Sequence, residues 1–591
     1  MFDEASDIQM HGKLNVFVNV CLYTGEVKTL TLALQGNKSI EPFKDIICVT
    51  VFHTPNYTIA VELENGDSDT VYRALRTVLE EYNVPLSKVI GLCSDGAATM
   101  QGIYRGVCTR LAQDIRELRH VARNEILGGD RTRTLDTFHP QRGIFSIHCV
   151  CHRLALIVTD AFKGSSVSAQ VVPDECLELL TSLFSYFAKS VKRKKKLRAF
   201  LSERNREYRD GNENDANRNP NEALERVLSQ LEEQHKLPRR LVLTRWLSSA
   251  DAIKVVTTSR DTYKNYFAEE TSENGREIYD LLYDDVVFGW YYCLLDVLPV
   301  LTGMNVLFQS RLPLPHLLYP RISAAKGILI NMVGIGEVRT RTELIDVLLV
   351  DKDTKFGAFA NKYIQQEGWT FTDLELKEIK QAWHKLYAHC IADIDRRFPP
   401  ETMEVFRLFQ VLDPSVVHGP MMRNFLGRTD VASAVSELLS IFEIPLHLSL
   451  AGKYSTEEIK NSFTAFRTSE VCEDLWKLHT ARNARGQNMD YAVVYTYYKA
   501  LLSMPEISPW AFVCLFLLIF PTGNAVAERG FSAMGAVHSK RRSEMSHEQV
   551  WAHMMVQFNG PPLGTYAQTL DAESRMLNWW GHVNHTNYNN H

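Results

Sequence analysis

The chain has 591 residues, 65 Lys and Arg against 70 Asp and Glu, and 45% hydrophobic content. That length supports several domains with ordinary cores, and a formal charge of −5 excludes a global basic field, so any polyanion site must be a local patch. The 11 cysteines follow no disulfide spacing, Met1 to Asp7 is acidic without a signal-peptide pattern, and the longest apolar run, Trp510–Phe520, has 11 residues. The expectation is a soluble intracellular protein in a reducing compartment.

In chain order, Leu14, Val16, Val18, Val20 and Leu22 alternate with polar Asn15 and Asn19. This predicts a strand over 14–22 with one buried face. Thr24-Gly25-Glu26 turns it into a returning strand over 27–34, and a third is expected at 46–52 or 58–63. Asp67 or Ser68 caps a helix carrying Val71, Leu75, Val78 and Tyr82 at helical spacing, closed by Pro85. Lys88 to Cys93 reads as a short buried strand entering Ser94-Asp95-Gly96, followed by a helix over 97–118. After a polar loop at 119–143 come a strand at 144–150 and a helix at 151–162. The order β-β-β-α-β-α-β-α, a hairpin meander and then alternating units, predicts an α/β fold with a mixed sheet and helices on both faces.

From 166 to about 500 strand patterns largely vanish, and amphipathic runs at 174–201, 222–236, 276–310, 374–396, 430–446 and 487–503 dominate. An all-helical block of that size inside an α/β frame reads as an inserted domain. Its clearest internal loop is the polar stretch 203–221, and the tail ending at His591 reads as frayed.

Several residues could carry chemistry. Glu528 lies in Asn524-Ala525-Val526-Ala527-Glu528-Arg529-Gly530-Phe531-Ser532, where Asn524 can cap a helix and an acidic residue in its early turns is also simply favourable. Asp95 follows a hydrophobic strand, which points it into the crevice where α/β sheets bind ligands, and it reads equally as the cap of the next helix. Asp3 sits just ahead of the first hairpin, in what is otherwise an acidic tail. Cys149-Val150-Cys151-His152, preceded by His148, has no distant partner pair at zinc spacing; structural, DNA-contacting and zinc roles all stay open. Arg245-Trp246 is either a base-stacking platform or a core Trp with a paired Arg. Lys192 to Lys196 with Arg198, and Lys540-Arg541-Arg542, are solvated helix faces or phosphate contacts.

Taken together, Pro521 to Glu548, Ser94-Asp95-Gly96-Ala97 with Met100 and Gly102, Cys149 with His152, and Arg245-Trp246 resemble the motifs of hAT-superfamily (hobo/Activator-type) transposases. Phe398-Pro399-Pro400 and Val411-Leu412-Asp413-Pro414 resemble lesser landmarks of packing and turns. The resemblance implies a ribonuclease-H-like mixed sheet interrupted by a large all-α insertion. On that reading, 1–165 is the first part of the sheet domain, 166–504 the insertion, 505–562 the closing helices with a dimerisation region, and 563–591 a tail.

The resemblance also implies that Asp3, Asp95 and Glu528 are catalytic and hold two Mg²⁺ or Mn²⁺ ions for DNA strand cleavage and transfer. Carboxylates suit such hard cations, and paired ions neutralise the attacking and leaving oxygens. Arg245, Trp246, Cys149, His152, Lys540, Arg541 and Arg542 are then DNA contacts, the partners are DNA and a second copy of the chain, and the location is the nucleus. Dimerisation is expected to use apolar surface left open at Val513–Phe520 and around Trp551–Phe558. The departure is at the front: Met1 stands two residues ahead of Asp3, where relatives carry a zinc finger and further sequence. The alternative is therefore a domesticated or truncated derivative, a dimeric DNA- or chromatin-associated protein without catalysis.

Overall fold

The computed structural model describes residues 12–22, 27–32, 46–55, 61–63, 67–81, 84–94, 96–102, 104–126, 145–212, 236–239, 247–309, 313–333, 356–365, 372–418, 431–450, 453–483, 492–524 and 529. They fall into two compact units, one drawn from Met1–Cys149, Arg311–Pro315 and Pro414–His591, the other from Val150–Ser310 and His316–Asp413. The chain is α/β with a large helical part.

The first unit opens with β1 (Gly12–Leu22), β2 (Val27–Leu32), β3 (Ile46–Pro55) and β4 (Val61–Leu63). Helix α1 (Ser68–Glu81) leads to β5 (Val89–Ser94), then α2 (Ala98–Gln101), α3 (Val107–Ile126) and β6 (Phe145–His148). The sheet order is β2-β1-β3-β5-β6, with β4 paired to the start of β1. β1 is antiparallel to both neighbours, with Val20 opposite Lys28 and Val18 opposite Val51. β3, β5 and β6 are parallel, and His53, Ser94 and His148 form one register row across them.

Both candidate positions for the third strand are strands, at 46–55 and 61–63. The order, however, is not that of a sequential meander: β3 passes to the far side of β1 and pairs with β5. Its Ile- and Val-rich sequence suits a central strand, paired along both edges.

Helix α1 is capped by Asp67, whose Oδ1 accepts from Thr70 N at 2.7 Å. It is described to Glu81, and Val84, just ahead of Pro85, closes the turn by donating its N–H to Leu79 O at 2.8 Å. The single helix expected at 97–118 is divided by Gly102 and Gly106. The backbone folds so tightly there that a Cβ on Gly106 would lie 2.4 Å from Gly102 N. Helices α1 and α3 cover one face of the sheet through Val71, Leu75, Val78, Leu92, Leu111 and Ile115.

The second unit contains α4 (Val150–Lys163), α5 (Asp174–Ala188), α6 (Val191–Asn212), α7 (Leu247–Thr258), α8 (Arg260–Ala268), α9 (Glu273–Tyr283) and α10 (Asp285–Phe308). It continues with α11 (Pro315–Val333), α12 (Ala358–Ile364), α13 (Asp373–Arg397) and α14 (Pro400–Leu408). The run at 174–201 is two helices broken at Lys189-Ser190, and the run at 276–310 is two helices broken at Asp284. That aspartate caps α10 by accepting from Val286 N at 2.8 Å and Val287 N at 3.2 Å. The run at 222–236 lies outside the described residues, save Lys236.

By length and composition α10 could cross a membrane, yet it forms the core of this unit, with Trp290, Tyr291, Leu294 and Leu298 buried. The buried Asp296 on it receives Phe359 N at 3.0 Å and Ala360 N at 2.9 Å, capping α12 from another helix. Glycine at 357 makes room, because a Cβ there would sit 2.2 Å from the Asp296 carboxyl carbon.

His316, fully buried in this unit, has its pKa pushed below the usual histidine value by burial, against a smaller upward pull from Asp413. An unfolded chain takes up a proton near pH 6.5 that the folded one resists, so stability is intact above that pH and is lost as pH falls below it. Relative to His316→Gln, the native protein should therefore lose up to about 1.4 kcal/mol per pH unit below about 6.5. Urea midpoints measured at several pH values check this, and parallel profiles for the two proteins would refute it.

The chain then returns to the first unit. Helices α15 (Pro414–His418), α16 (Val431–Ile441), α17 (Glu443–Leu450), α18 (Thr456–Thr468), α19 (Glu470–Asn483), α20 (Ala492–Leu501) and α21 (Ser508–Leu518) follow. The helical stretch expected as one insertion over 166–504 is divided between the units: apart from Arg311–Pro315 it belongs to the helical unit up to Asp413, and from Pro414 to the sheet unit. Every residue from Trp510 to Phe520 is buried within the chain. This corrects the expectation of open apolar surface at Val513–Phe520. A helix apolar on all sides is a core helix, and here the chain's own elements cover it. Trp551–Phe558 lies outside the described residues.

Candidate active site

Ligands of open α/β sheets bind beyond the C-terminal ends of the parallel strands, and here those ends are Pro55, Ser94 and His148. Ser94 is buried, and its Oγ accepts from Gln101 Nε2 at 2.6 Å. Gln101 Oε1 in turn accepts from Ser146 Oγ at 3.0 Å, tying α2 to β6. Gly96 lies against the His148 ring, and a Cβ there would fall 2.3 Å from His148 Cε1. The backbone on both sides of Asp95 is therefore held by named contacts.

The closing segment reaches the same strand from the other face. Phe520 packs edge-on against Phe145 with centroids 5.3 Å apart, and Phe442 packs against both. Pro521 touches β5 at Gly91, where a Cβ would sit 2.4 Å from Pro521 Cδ. Thr522 Oγ1 accepts from Leu314 N at 3.4 Å. Buried Cys149 joins the two approaches: its N–H donates to Ser94 O at 2.9 Å, and its Sγ accepts from Asn524 N at 3.4 Å. One residue thus bonds to the position before Asp95 and to the position four before Glu528, although Cys149 and Asn524 are 375 residues apart in sequence.

Asp3, Asp95, Glu528, Arg245, Trp246, Lys540, Arg541 and Arg542 lie outside the described residues. What is described is the backbone flanking two of them, Asp95 and Glu528. His152 is half-buried on α4, and burial, then Arg397, lowers its pKa, so it favours the neutral form. Cys151 Sγ donates to Asn305 O at 3.6 Å. Among the described residues no three His, Cys, Asp or Glu are grouped to hold a metal. The three carboxylates expected to bind Mg²⁺ or Mn²⁺ are not among those residues.

Reading the sequence alone missed Gly91, Gln101 and Asn524's contact with Cys149. A glycine inside an apolar strand, such as Gly91, does signal close backbone approach. Nothing local marks the other two.

No protein-family model matches the chain, and no curated protein matches it.

Proposed function

We propose that the chain is a hAT transposase-like catalytic core, cutting and joining DNA strands on a ribonuclease-H-like sheet. The observation that carries this reading is the double attachment of Cys149 to Ser94 and Asn524. It draws the flanks of two motif carboxylates, Asp95 and Glu528, to one end of the parallel strands. Phosphodiester chemistry needs such convergence, since carboxylates must share cations within a few ångströms. Asp3 is the third member. It precedes Gly12, the first residue of β1, by nine positions, and β1 starts at this same sheet end, with Leu14 opposite Pro55. Nine residues span up to about 30 Å, and β1 lies two strand spacings, about 10 Å, from β5. In this reading Asp3, Asp95 and Glu528 would hold Mg²⁺ or Mn²⁺, whose charge would offset that on the phosphate oxygens. DNA and a second copy of the chain are the partners, and the nucleus is the place of action.

One observation favours a second reading, a dimeric DNA-associated protein without catalysis. The strands beside β5 are β3 and β6, and neither Ile46–Pro55 nor Phe145–His148 contains an acidic residue. Neither strand paired to β5 therefore supplies the site with a carboxylate.

The test is strand nicking of a labelled duplex by the purified chain with Mg²⁺ or Mn²⁺. Asp95→Asn and Glu528→Gln should each slow it by about a thousandfold, the several kcal/mol that cation placement supplies. No nicking by the native chain, or equal nicking with Gln at 528, overturns the catalytic reading and leaves the second.

A further inference from the structure

In a chain of net charge −5, six of the seven residues from Lys192 to Arg198 are cationic and none is acidic. All lie in the first half of α6, and helical geometry sorts them. Leu197 and Leu201 form the buried stripe. Lys196 is held to the scaffold, 3.0 Å from Glu269 and 3.7 Å from Glu270. Arg193 stacks 3.8 Å above the Tyr186 ring and donates to Tyr186 O at 3.4 Å. Lys192, Lys195 and Arg198 recur every third residue on the exposed side, with half-buried Lys194 beside them. None of these four forms an ion pair among the described residues.

Three cations along about 9 Å of helix, with no ion-pair partner among the described residues, repel one another in the free protein. A polyanion laid along them removes that repulsion and releases its own counterions. Among the described residues the exposed side holds Val191 and Ala199 but no aromatic ring, the half-buried Phe200 packing on Tyr266, so it offers no platform for base stacking. The apolar stripe of α6 is turned inward, so it presents no face for insertion into lipid. We infer that α6 is a DNA-backbone strip: Lys192, Lys195 and Arg198, backed by Lys194, bind duplex phosphates without reading sequence. The choice of DNA among polyanions rests on the proposed function, whereas the strip does not depend on the cleavage chemistry at the sheet end.

The test measures binding of the full chain to a fluorescent duplex of arbitrary sequence between about 50 and 200 mM salt. The variant K192Q/K195Q/R198Q keeps good helix formers on an exposed surface. It should bind more weakly, with the slope of log affinity against log salt shallower by about 2.7, or 0.9 per phosphate contact. The control K385Q/K499Q removes exposed lysines elsewhere and should leave the slope unchanged. An unaltered slope in the triple variant, or an equal drop in the control, overturns the inference. So does a triple variant that loses binding to phosphatidylserine vesicles while keeping duplex affinity. A chain that binds DNA through α6 yet never nicks it upholds the strip and refutes the cleavage reading; one that nicks with the triple variant's slope unchanged does the reverse.

Discussion

Replacing Asp160 by Ala should destabilise the helical unit by about 3–5 kcal/mol, the cost of stranding a buried ionic partner. Asp160 on α4 is 4% exposed and accepts from Arg396 Nη2 at 2.8 Å and from Arg397 Nη2 at 2.6 Å. Asp393, equally buried, accepts from Arg396 Nε and Nη2 at 2.8 Å and from Arg397 Nε at 3.2 Å. Two carboxylates thus balance two guanidiniums, and together they pin the end of α13 to α4. Arg153 Nη1, donating to Arg397 O at 2.5 Å, adds a further tie between those helices. Deleting one carboxylate leaves a net positive charge in a place water reaches poorly, whereas an exposed pair costs little. Lys326→Ala, which breaks the more exposed pair with Asp395, should therefore cost less than about 1 kcal/mol. Denaturant unfolding of the two variants makes the comparison, and equal losses would show that burial does not set the strength of the Asp160 network.

Phe520→Ala should cost about 3–5 kcal/mol, with Phe520→Leu nearer 1–1.5 kcal/mol because most of the volume is retained. The ring is fully buried between Phe145 of β6 and Phe442. It also immediately precedes Pro521, which rests on the Gly91 backbone. The cavity left by Ala loosens the segment that delivers Asn524 to Cys149, and through it the helix expected to carry Glu528. Strand nicking by Phe520→Ala, assayed well below its unfolding temperature, should therefore fall further than that of a comparably destabilised variant at Leu298, a buried residue of the helical unit. Equal losses in the two variants would break the link between this packing and the proposed active end of the sheet.

Element type was legible because period is a local property of a sequence. The alternation from Leu14 to Leu22 could only bury one face as a strand, and 12–22 is one. The apolar repeat at 374–396 matches a helix over 373–397. Breaks were less legible: the Gly102–Gly106 interruption depends on how closely two backbone segments pack, which spacing does not encode. The run at Trp510–Phe520 is apolar throughout, but whether a second chain or the chain's own helices cover such a run is a question of tertiary packing.

Asp95 and Glu528 stand out only through the motif resemblance, because strand-end and helix-start grounds leave each equally an ordinary helix cap or early-turn acid. Strand order was not legible, since β1 offers two equivalent edges and which of them β3 takes depends on long-range pairing. Nor could any local pattern place Cys149 between Ser94 and Asn524, because that contact exists only once the sheet and the segment ahead of Glu528 have packed together. Composition and periodicity determine which segments are strands, helices and core. Which segments meet is decided by burial and hydrogen bonding between residues hundreds of positions apart, and the candidate site is built from such meetings.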